Sequence, residues 1–531
     1  MNPFARKLKK ALIARRKALK EREPGQFVST LGPVSTFELV PARASRGRAL
    51  DQIMDFARDA AVDRVLSALS VTDNAGGHPA LNPVSLSREI MNLGIEPVIH
   101  FSCKDKNRNT MESQLFELDR TGLRNLLVLT GDYPSHGFSG VAKPVFDLDS
   151  VQALKFIKEL GRGLKYAHRD LCLDPLPFFA GCVVSPFKRQ EAEQVFQYAK
   201  LVMKIRAGAS YVISQMGFDV CRHHELRQFM DDMHINVPLL GTVFIPDARL
   251  ARIIYRGAIP GCTIPKRLLE KIEEEATSPD GGISAALERA ARQVAILHGI
   301  GYEGVHLSGP GLSYSQIAGI LERAETILPN WQEYVQESLY PEEWNFRFYE
   351  KDPVTGLNLH RPVPHVKQNN KRPFSLMGIM EHLVHKLFFV PGEGLYHQAA
   401  ATARKISGTR IEPLFTRIEY LLKGLLYSCQ HCGDCTLDDM EFLCPQSQCA
   451  KFMLNGPCGG SNNGWCEVWP GKRKCIYVRL YEKLGTPEFN EILDRKYLPP
   501  RNWALFRTSS WINFYLGRDH HHAEEKNKKM G

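Results

Sequence analysis

Long hydrophobic runs are the first thing this 531-residue chain lacks. Nowhere do about 18 apolar residues follow one another, so no segment reads as a membrane-spanning helix. Its first residues also lack the apolar core, about 7–15 residues long, of a secretory signal. That absence predicts a cytoplasmic protein in a reducing compartment, where clustered thiols bind metal more often than they pair. Beyond the N-terminus there is no basic stripe with interleaved aromatics, which excludes the usual footprint of nucleic-acid binding. No G-x-G-x-x-G follows the first apolar run, which weakens an open dinucleotide-binding sheet as the fold.

What is present is a globular composition, 44% hydrophobic and 24% charged, on a chain long enough for two or three domains. The net charge of +10 is concentrated at the start. MNPFARKLKKALIARRKALKER carries nine Lys or Arg against a single Glu. Phe4, Leu8, Ala11, Leu12 and Leu19 share one helical face there. Residues 1–26 therefore read as a basic amphipathic extension, solvated by default, with peripheral contact to anionic lipid or an acidic partner as the functional alternative.

From residue 27 to 328 short apolar runs alternate with longer helical stretches. The runs are VSTFELVPA (34–42), DRVLSALSV (63–71), EPVIHFSC (96–103), NLLVLTGD (125–132), PFFAGCVVS (177–185), SYVISQMGFD (210–219), VPLLGTVFI (237–245) and EGVHLSG (303–309). Each suits a strand buried on both faces. Eight such β–α repeats predict an α/β fold, a (β/α)8 TIM barrel with its chemistry at the C-terminal strand ends. The polar residues at those ends are Glu38, Thr72, Asp73, Asn74, His100, Ser102, Asp132, Ser185, Gln215, Asp219, Thr242 and Ser308. Thr72, Ser185 and Asp219 could each cap a helix. Glu38, inside the apolar run TFELV, must instead face the barrel mouth or find a partner.

These residues resemble the methylenetetrahydrofolate reductases, flavin enzymes on a (β/α)8 barrel. TFELVPAR is similar to that family's Phe-Glu-Phe-x-Pro strand, LSVTDNAGG to its Ser-Val-Thr-x-x-x-Gly segment and PVIHFSCKD to its Pro-His-Leu-Thr-Cys strand. LTGD resembles the Arg-Gly-Asp turn, and KIRAGASYVISQMGFD is the closest of the matches. The resemblance implies Glu38 and Asp132 as catalytic residues, Glu38 being the general acid. It implies Thr72, His100, Asp132 and Lys204 as flavin contacts, with Lys204 on the phosphate, and Gln215 as a folate contact. Thr130 replaces the arginine of the turn, Gly181 and Ser185 stand where a tyrosine and histidine are expected, and the last strand ends in LSGPG. FAD and FMN are both consistent with these departures. The Glu38 acid, desolvated in a partly apolar mouth, is expected to have a raised pKa and to donate near neutral pH.

Residues 329–374 (LPNWQEYVQESLYPEEWNFRFY, then RPVPHVKQNNKRP) read as a linker packed along a surface. Residues 375–515 read as a cysteine-rich, mostly helical and irregular metal-binding domain. Its thiols are Cys429, Cys432, Cys435, Cys444, Cys449, Cys458, Cys466 and Cys475. The C-x2-C-x2-C run suits a [4Fe–4S] cluster better than the paired knuckles of structural zinc, which is the alternative. The block through NGPCGG to WCEVW resembles the cysteine-rich domain fused to, or partnering, reductases of acetogen-type one-carbon metabolism, whose partner subunit carries an iron–sulfur cluster. Residues 516–531 read as a polar tail, disordered by expectation, although His520, His521 and His522 could take up a metal.

The function expected is flavin-dependent reduction of 5,10-methylenetetrahydrofolate, or its reverse. Electrons are expected to pass through the iron–sulfur domain from NAD(P)H or a ferredoxin-type donor, in a homo-oligomer or redox complex. The alternatives are a pterin-dependent methyltransferase and a non-catalytic electron-transfer or assembly subunit.

Overall fold

The computed structural model describes residues 2–21, 27, 34–163, 172–363, 376–485 and 487–522. By its internal contacts the chain forms two units: Met1–Pro364 with Cys458–Asn463, and His365–Pro457 with Gly464–Gly531. The expected boundaries at 26/27 and 374/375 touch residues outside the described set. No described helix is long and apolar enough to cross a membrane.

In the first unit all eight apolar runs contain a strand. These are β1 (Val34–Leu39), β2 (Ala68–Val71), β3 (Pro97–Ser102), β4 (Asn125–Leu129), β5 (Phe179–Val184), β6 (Val212–Ser214), β7 (Leu239–Phe244) and β8 (Gly304–Ser308). All pair in parallel, in sequence order, and β8 closes on β1 with Val34 opposite Gly304 and Thr36 opposite His306. Helices lie between them, and their starts are set locally. Asp149 and Gln152 form a capping box, as do Ser313 and Gln316, while Asn107 and Asp247 accept from backbone N–H groups three residues on.

Strand side chains alternate between faces, so every second residue points into the barrel. Val34, Ala68, Val98, Leu127, Ile213 and Leu240, near the strand starts, form a buried apolar cluster. Two and four residues further along β1, β2 and β3 the inward positions turn polar: Thr36 and Glu38, Ser70 and Thr72, His100 and Ser102. The apolar core therefore sits at the bottom and the inward polar residues at the mouth.

Helix α1 (Pro3–Glu21) closes the bottom. Phe4 and Leu8 are fully buried in that same cluster, and Phe4 meets the rings of Tyr211 and Phe179 edge-on at 5.8 and 6.2 Å. Arg15, itself buried, pairs with Asp231 at 2.6 Å and Glu303 at 3.7 Å. The N-terminal segment is thus part of the barrel rather than an extension. Its Phe4–Leu8–Ala11 face is taken by protein and is not offered to a lipid surface.

Residues 328–363 likewise belong to the barrel unit and are not a linker. Trp331, Tyr340, Trp344, Tyr349 and Leu357 are buried, and a short hairpin, β9 (Tyr349–Lys351) with β10 (Asn358–Pro362), completes the segment. Asp219 caps the helix Val220–Asp232 and receives the Trp344 indole N–H at 2.5 Å and the Tyr340 N–H at 3.2 Å. These donors, from a segment 121 and 125 residues away, offset part of the desolvation of this aspartate, whose carboxyl burial still holds above its ordinary range. The Lys188 ammonium donates to the carbonyls of Gly459 and Ser461, which seats the segment Cys458–Asn463 on this unit.

The second unit is helical and irregular, with its longer helices at Leu376–Phe388, Tyr396–Ile406 and Glu412–Tyr427. Its cysteine region is built from turns and short helices around buried Met440, Leu443, Met453, Ile476, Leu480 and Ile512.

Candidate active site and cysteine site

Glu38 is the penultimate residue of β1, with Ser308 beside it across the barrel seam. The Ser308 hydroxyl donates to its Oε1 at 3.0 Å, while Oε2 lies 3.6 Å from His306 Nε2 and 3.9 Å from His100 Nε2. His306 was missed in the sequence, although it stands in the run EGVHLSG. A histidine two residues before Ser308 on the same strand face was the available signal. His306 Nδ1 is 2.8 Å from Thr36 Oγ1, and that hydroxyl lies 3.4 Å from the Val305 carbonyl. With the hydroxyl donating to the carbonyl, Nδ1 carries a ring proton, which leaves Nε2, facing Glu38, as the nitrogen that can carry or give up a second one.

The environment of Glu38 reverses one expectation. Burial does favour the neutral acid. The His306 and His100 rings beside it and the Ser308 hydroxyl outweigh it and hold the carboxyl at about 2. Glu38 is therefore ionised in the ligand-free barrel and is not a resting acid. Burial lowers His100 to about 4, against the pull of Glu38, and so keeps it neutral. Its Nε2 sits 2.7 Å from Ser70 Oγ.

Thr72 reaches the same mouth. Its hydroxyl oxygen is buried with no hydrogen-bond partner in the structure, an arrangement that costs free energy unless a ligand supplies one. Asp132, half-buried after β4, accepts the Gly76 N–H at 2.7 Å and so ties the β2 loop to the β4 loop. Gly131 before it has φ +87°, and a Cβ there would collide with the Lys104 side chain, which passes beneath it to the Asn74 carbonyl. Asp73 receives Ser102 Oγ at 2.8 Å and Lys106 Nζ at 2.7 Å.

Other predicted positions fall elsewhere. Lys204 is buried and donates to the Val183 carbonyl at 2.6 Å; burial brings its pKa down to about 8. The Gln215 amide oxygen accepts the adjacent Met216 N–H at 2.9 Å. Ser185 accepts the Phe187 N–H and belongs to its own turn, and Thr242 donates to the Ser214 carbonyl. The departure at Gly181 has a steric reason: a Cβ there would lie 2.3 Å from the Tyr211 ring, which fills the barrel interior in place of a residue-181 side chain.

In the second unit Cys429, Cys432, Cys435 and Cys444 line one small cavity together with Lys423 and Arg501. Arg501 Nη1 is 3.4 Å from Cys432 Sγ, Lys423 Nζ is 3.7 Å from Cys435 Sγ, and the His431 N–H points at Cys429 Sγ at 3.4 Å. Burial pushes the Cys432 thiol up to about 11, with Arg501 pulling the other way. Cys449 lies within electrostatic reach of Cys466. The Cys466–Cys475 loop is closed by Cys466 N–H to Arg473 and Cys475 N–H to Gly464. Cys458 falls in the segment that groups with the barrel unit.

Residues 28–324, more than half of the chain, match the family model described as methylenetetrahydrofolate reductase, and residues 409–504 match one described as methylene-tetrahydrofolate reductase C terminal. The chain is 21% identical over 216 residues to methylenetetrahydrofolate reductase 2 of Schizosaccharomyces pombe, covering 40% of this chain and 32% of that protein. Methylenetetrahydrofolate reductase 1 of the same yeast is 22% identical over 274 residues, 49% of this chain and 41% of that one. The match thus spans less than half the length of these curated relatives. Among solved structures, a Clostridium thermocellum protein that binds two copies of 5-methyl-5,6,7,8-tetrahydrofolic acid aligns over 61% of this chain and 99% of its own, with 13% identity and a TM-score of 0.39. A Coxiella burnetii dihydropteroate synthase in complex with pteroic acid aligns over 56% and 94%, with 12% identity and a TM-score of 0.29.

Proposed function

This chain belongs to the methylenetetrahydrofolate reductase family, and from that premise we propose that its barrel interconverts 5,10-methylenetetrahydrofolate and 5-methyltetrahydrofolate with a bound flavin, FAD or FMN. The observation that carries the reading is the carboxylate of Glu38, set between His306, His100 and Ser308 at the inner rim of the barrel. When bound, the flavin supplies the hydride. Thr72, His100 and Asp132 are the residues assigned to its ring, and the buried Thr72 hydroxyl without a protein partner supports a ligand there; Lys204, assigned to its phosphate, would have to leave the Val183 carbonyl to reach it. Gln215 is assigned to the folate.

The protein's own task is the proton. Opening the bridged folate ring places a proton on N10, and a group at the rim must deliver it. Because Glu38 rests ionised, we assign the proton to the Glu38–His306 pair, held between Oε2 and Nε2 and passed on through the carboxylate. Thr36 keeps His306 in the tautomer that makes this sharing work. His100, held neutral, does not compete for the proton.

The cysteine cavity is assigned to a [4Fe–4S] cluster on Cys429, Cys432, Cys435 and Cys444, exchanging electrons between the flavin and NAD(P)H or a ferredoxin-type protein. Zinc is the second reading. Four thiolates on one zinc, at about 2.3 Å each, stand about 3.8 Å apart. The C-x2-C-x2-C spacing of Cys429, Cys432 and Cys435 is what favours the larger centre. The test is anaerobic addition of 5-methyltetrahydrofolate to the purified flavin-loaded chain. Bleaching of the flavin absorbance is expected. A flavin spectrum that stays unchanged overturns the reductase reading, and a chain that purifies and reconstitutes without flavin does the same.

A further inference from the structure

The histidines of the C-terminal segment are ordered, not a frayed tail. His520–His522 form a 3-10 turn, and Asp438–Met440 form another. Between these turns three ligand atoms converge. His520 Nε2 is 3.0 Å and His521 Nε2 is 3.7 Å from Asp439 Oδ2, and all three lie within 4.8 Å of one another. A tetrahedral ion with nitrogen and oxygen ligands at about 2.0–2.1 Å has edges of about 3.4 Å, and the two separations bracket that value. Among the described residues this is the one group of three or more histidine, cysteine or carboxylate ligands drawn so close.

The far nitrogen of each ring is held as a metal-bound imidazole requires. His520 Nδ1 meets Asp434 Oδ1 at 2.6 Å, and His521 Nδ1 meets Asp519 Oδ2 at 3.0 Å. Both supporting carboxylates are almost fully buried, and Asp434 is fixed further by the Asn502 and His520 N–H groups. Such partners set the tautomer that turns Nε2 outward and raise its basicity. The side chains of Asp439 and His521 remain partly open, 19% and 25% exposed, so an ion has an entry path and a place for a water ligand.

We propose that Asp439, His520 and His521 form a binding site for a first-row divalent cation such as zinc, separate from any metal on the cysteines. The ion would clip the chain near residue 520 to the loop of residues 434–439, which directly follows the C-x2-C-x2-C run. It would thereby contribute folding free energy to the second unit. The competing arrangement is a purely structural ion pair, with a doubly protonated His520 bridging Asp434 and Asp439. That arrangement needs Asp434, His520 and Asp439 but has no use for His521 Nε2.

The two are separated by titrating Zn2+ into the full chain, its cysteine sites loaded identically in every sample, against a chromophoric chelator. The parent is expected to take up one equivalent more than His521→Ala, with unchanged iron content and circular dichroism. His522→Ala, outside the three ligands, is expected to match the parent. Asp519→Asn is expected to weaken the same equivalent by about 10–100-fold. Equal zinc uptake by the parent and His521→Ala overturns the site. If His521→Ala fails to fold, His521→Gln is read in the same way.

Discussion

Replacing Glu38 by glutamine keeps the shape of the side chain and removes its charge, and the surroundings say how much that charge is worth. The carboxyl is held at about 2 instead of its ordinary 4.5, because His306, His100 and Ser308 together outweigh the burial that favours the acid. Only 24% of the side chain is exposed, so screening is modest. At about 1.4 kcal/mol per tenfold change in ionisation, the difference corresponds to about 3 kcal/mol of stability. Glutamine still accepts the Ser308 hydroxyl, so the expected loss at pH 7 is about 1–3 kcal/mol. The sign follows from the depressed pKa. The stabilisation is fully present above about 4.5 and fades as the pH falls toward 2, so the gap between parent and variant should narrow between pH 5 and pH 3. Urea unfolding at both pH values measures it. Folate turnover should drop by about 10²–10⁴-fold, while flavin content and flavin reduction by an artificial donor stay at parent levels. A variant with parent turnover refutes the proton assignment. A stability gap of equal size at pH 7 and pH 3 refutes the ionised carboxylate.

His306→Asn should lower folate turnover and shift its pH profile while leaving flavin content intact; an unshifted profile would separate His306 from proton transfer. Phe4→Ala should destabilise the barrel by about 3–5 kcal/mol in urea melts, since it empties a fully buried site at the barrel floor; a loss under about 1 kcal/mol would mean the helix is not docked. Cys432→Ala should abolish bound iron and destabilise the second unit while flavin binding by the barrel persists, as elemental analysis and absorption spectra would report. Asp132→Ala frees the Gly76 N–H, so altered flavin potential with weaker turnover is expected; an aggregated product would mark Asp132 as structural instead.

The barrel was legible because each strand advertises itself locally, as an apolar run bounded by polar residues, and Glu38 was legible as a carboxylate where none should be. Its charge state was not. That depends on His306 and Ser308, some 270 residues away, and on a strand register no local pattern encodes. The amphipathic pattern of the first 21 residues likewise shows that a face is buried but not whether lipid or protein covers it. Residues 329–363 misread as a linker because their aromatics follow no period; each fills a separate gap on the barrel, as Trp344 does at Asp219. In the cysteine region spacing brought out the thiols, whereas the cations beside them, Lys423 and Arg501, arrive from flanking segments with no signature of their own.

The helix across the barrel floor has a consequence for how the chain is made. It leaves the ribosome before the strands it covers, its seat includes β7, and its Arg15 partner Glu303 lies just before β8. At about 5–20 residues per second, synthesis from residue 21 to the end of β8 takes about 15–60 s. Throughout that interval the seat of Phe4 and Leu8 is incomplete. The nine cations of the first 22 residues keep this waiting segment soluble and discourage it from pairing with a second nascent copy. The basic charge of this end would then matter before the fold exists, as protection for a helix that must be held in reserve until the barrel is ready to receive it.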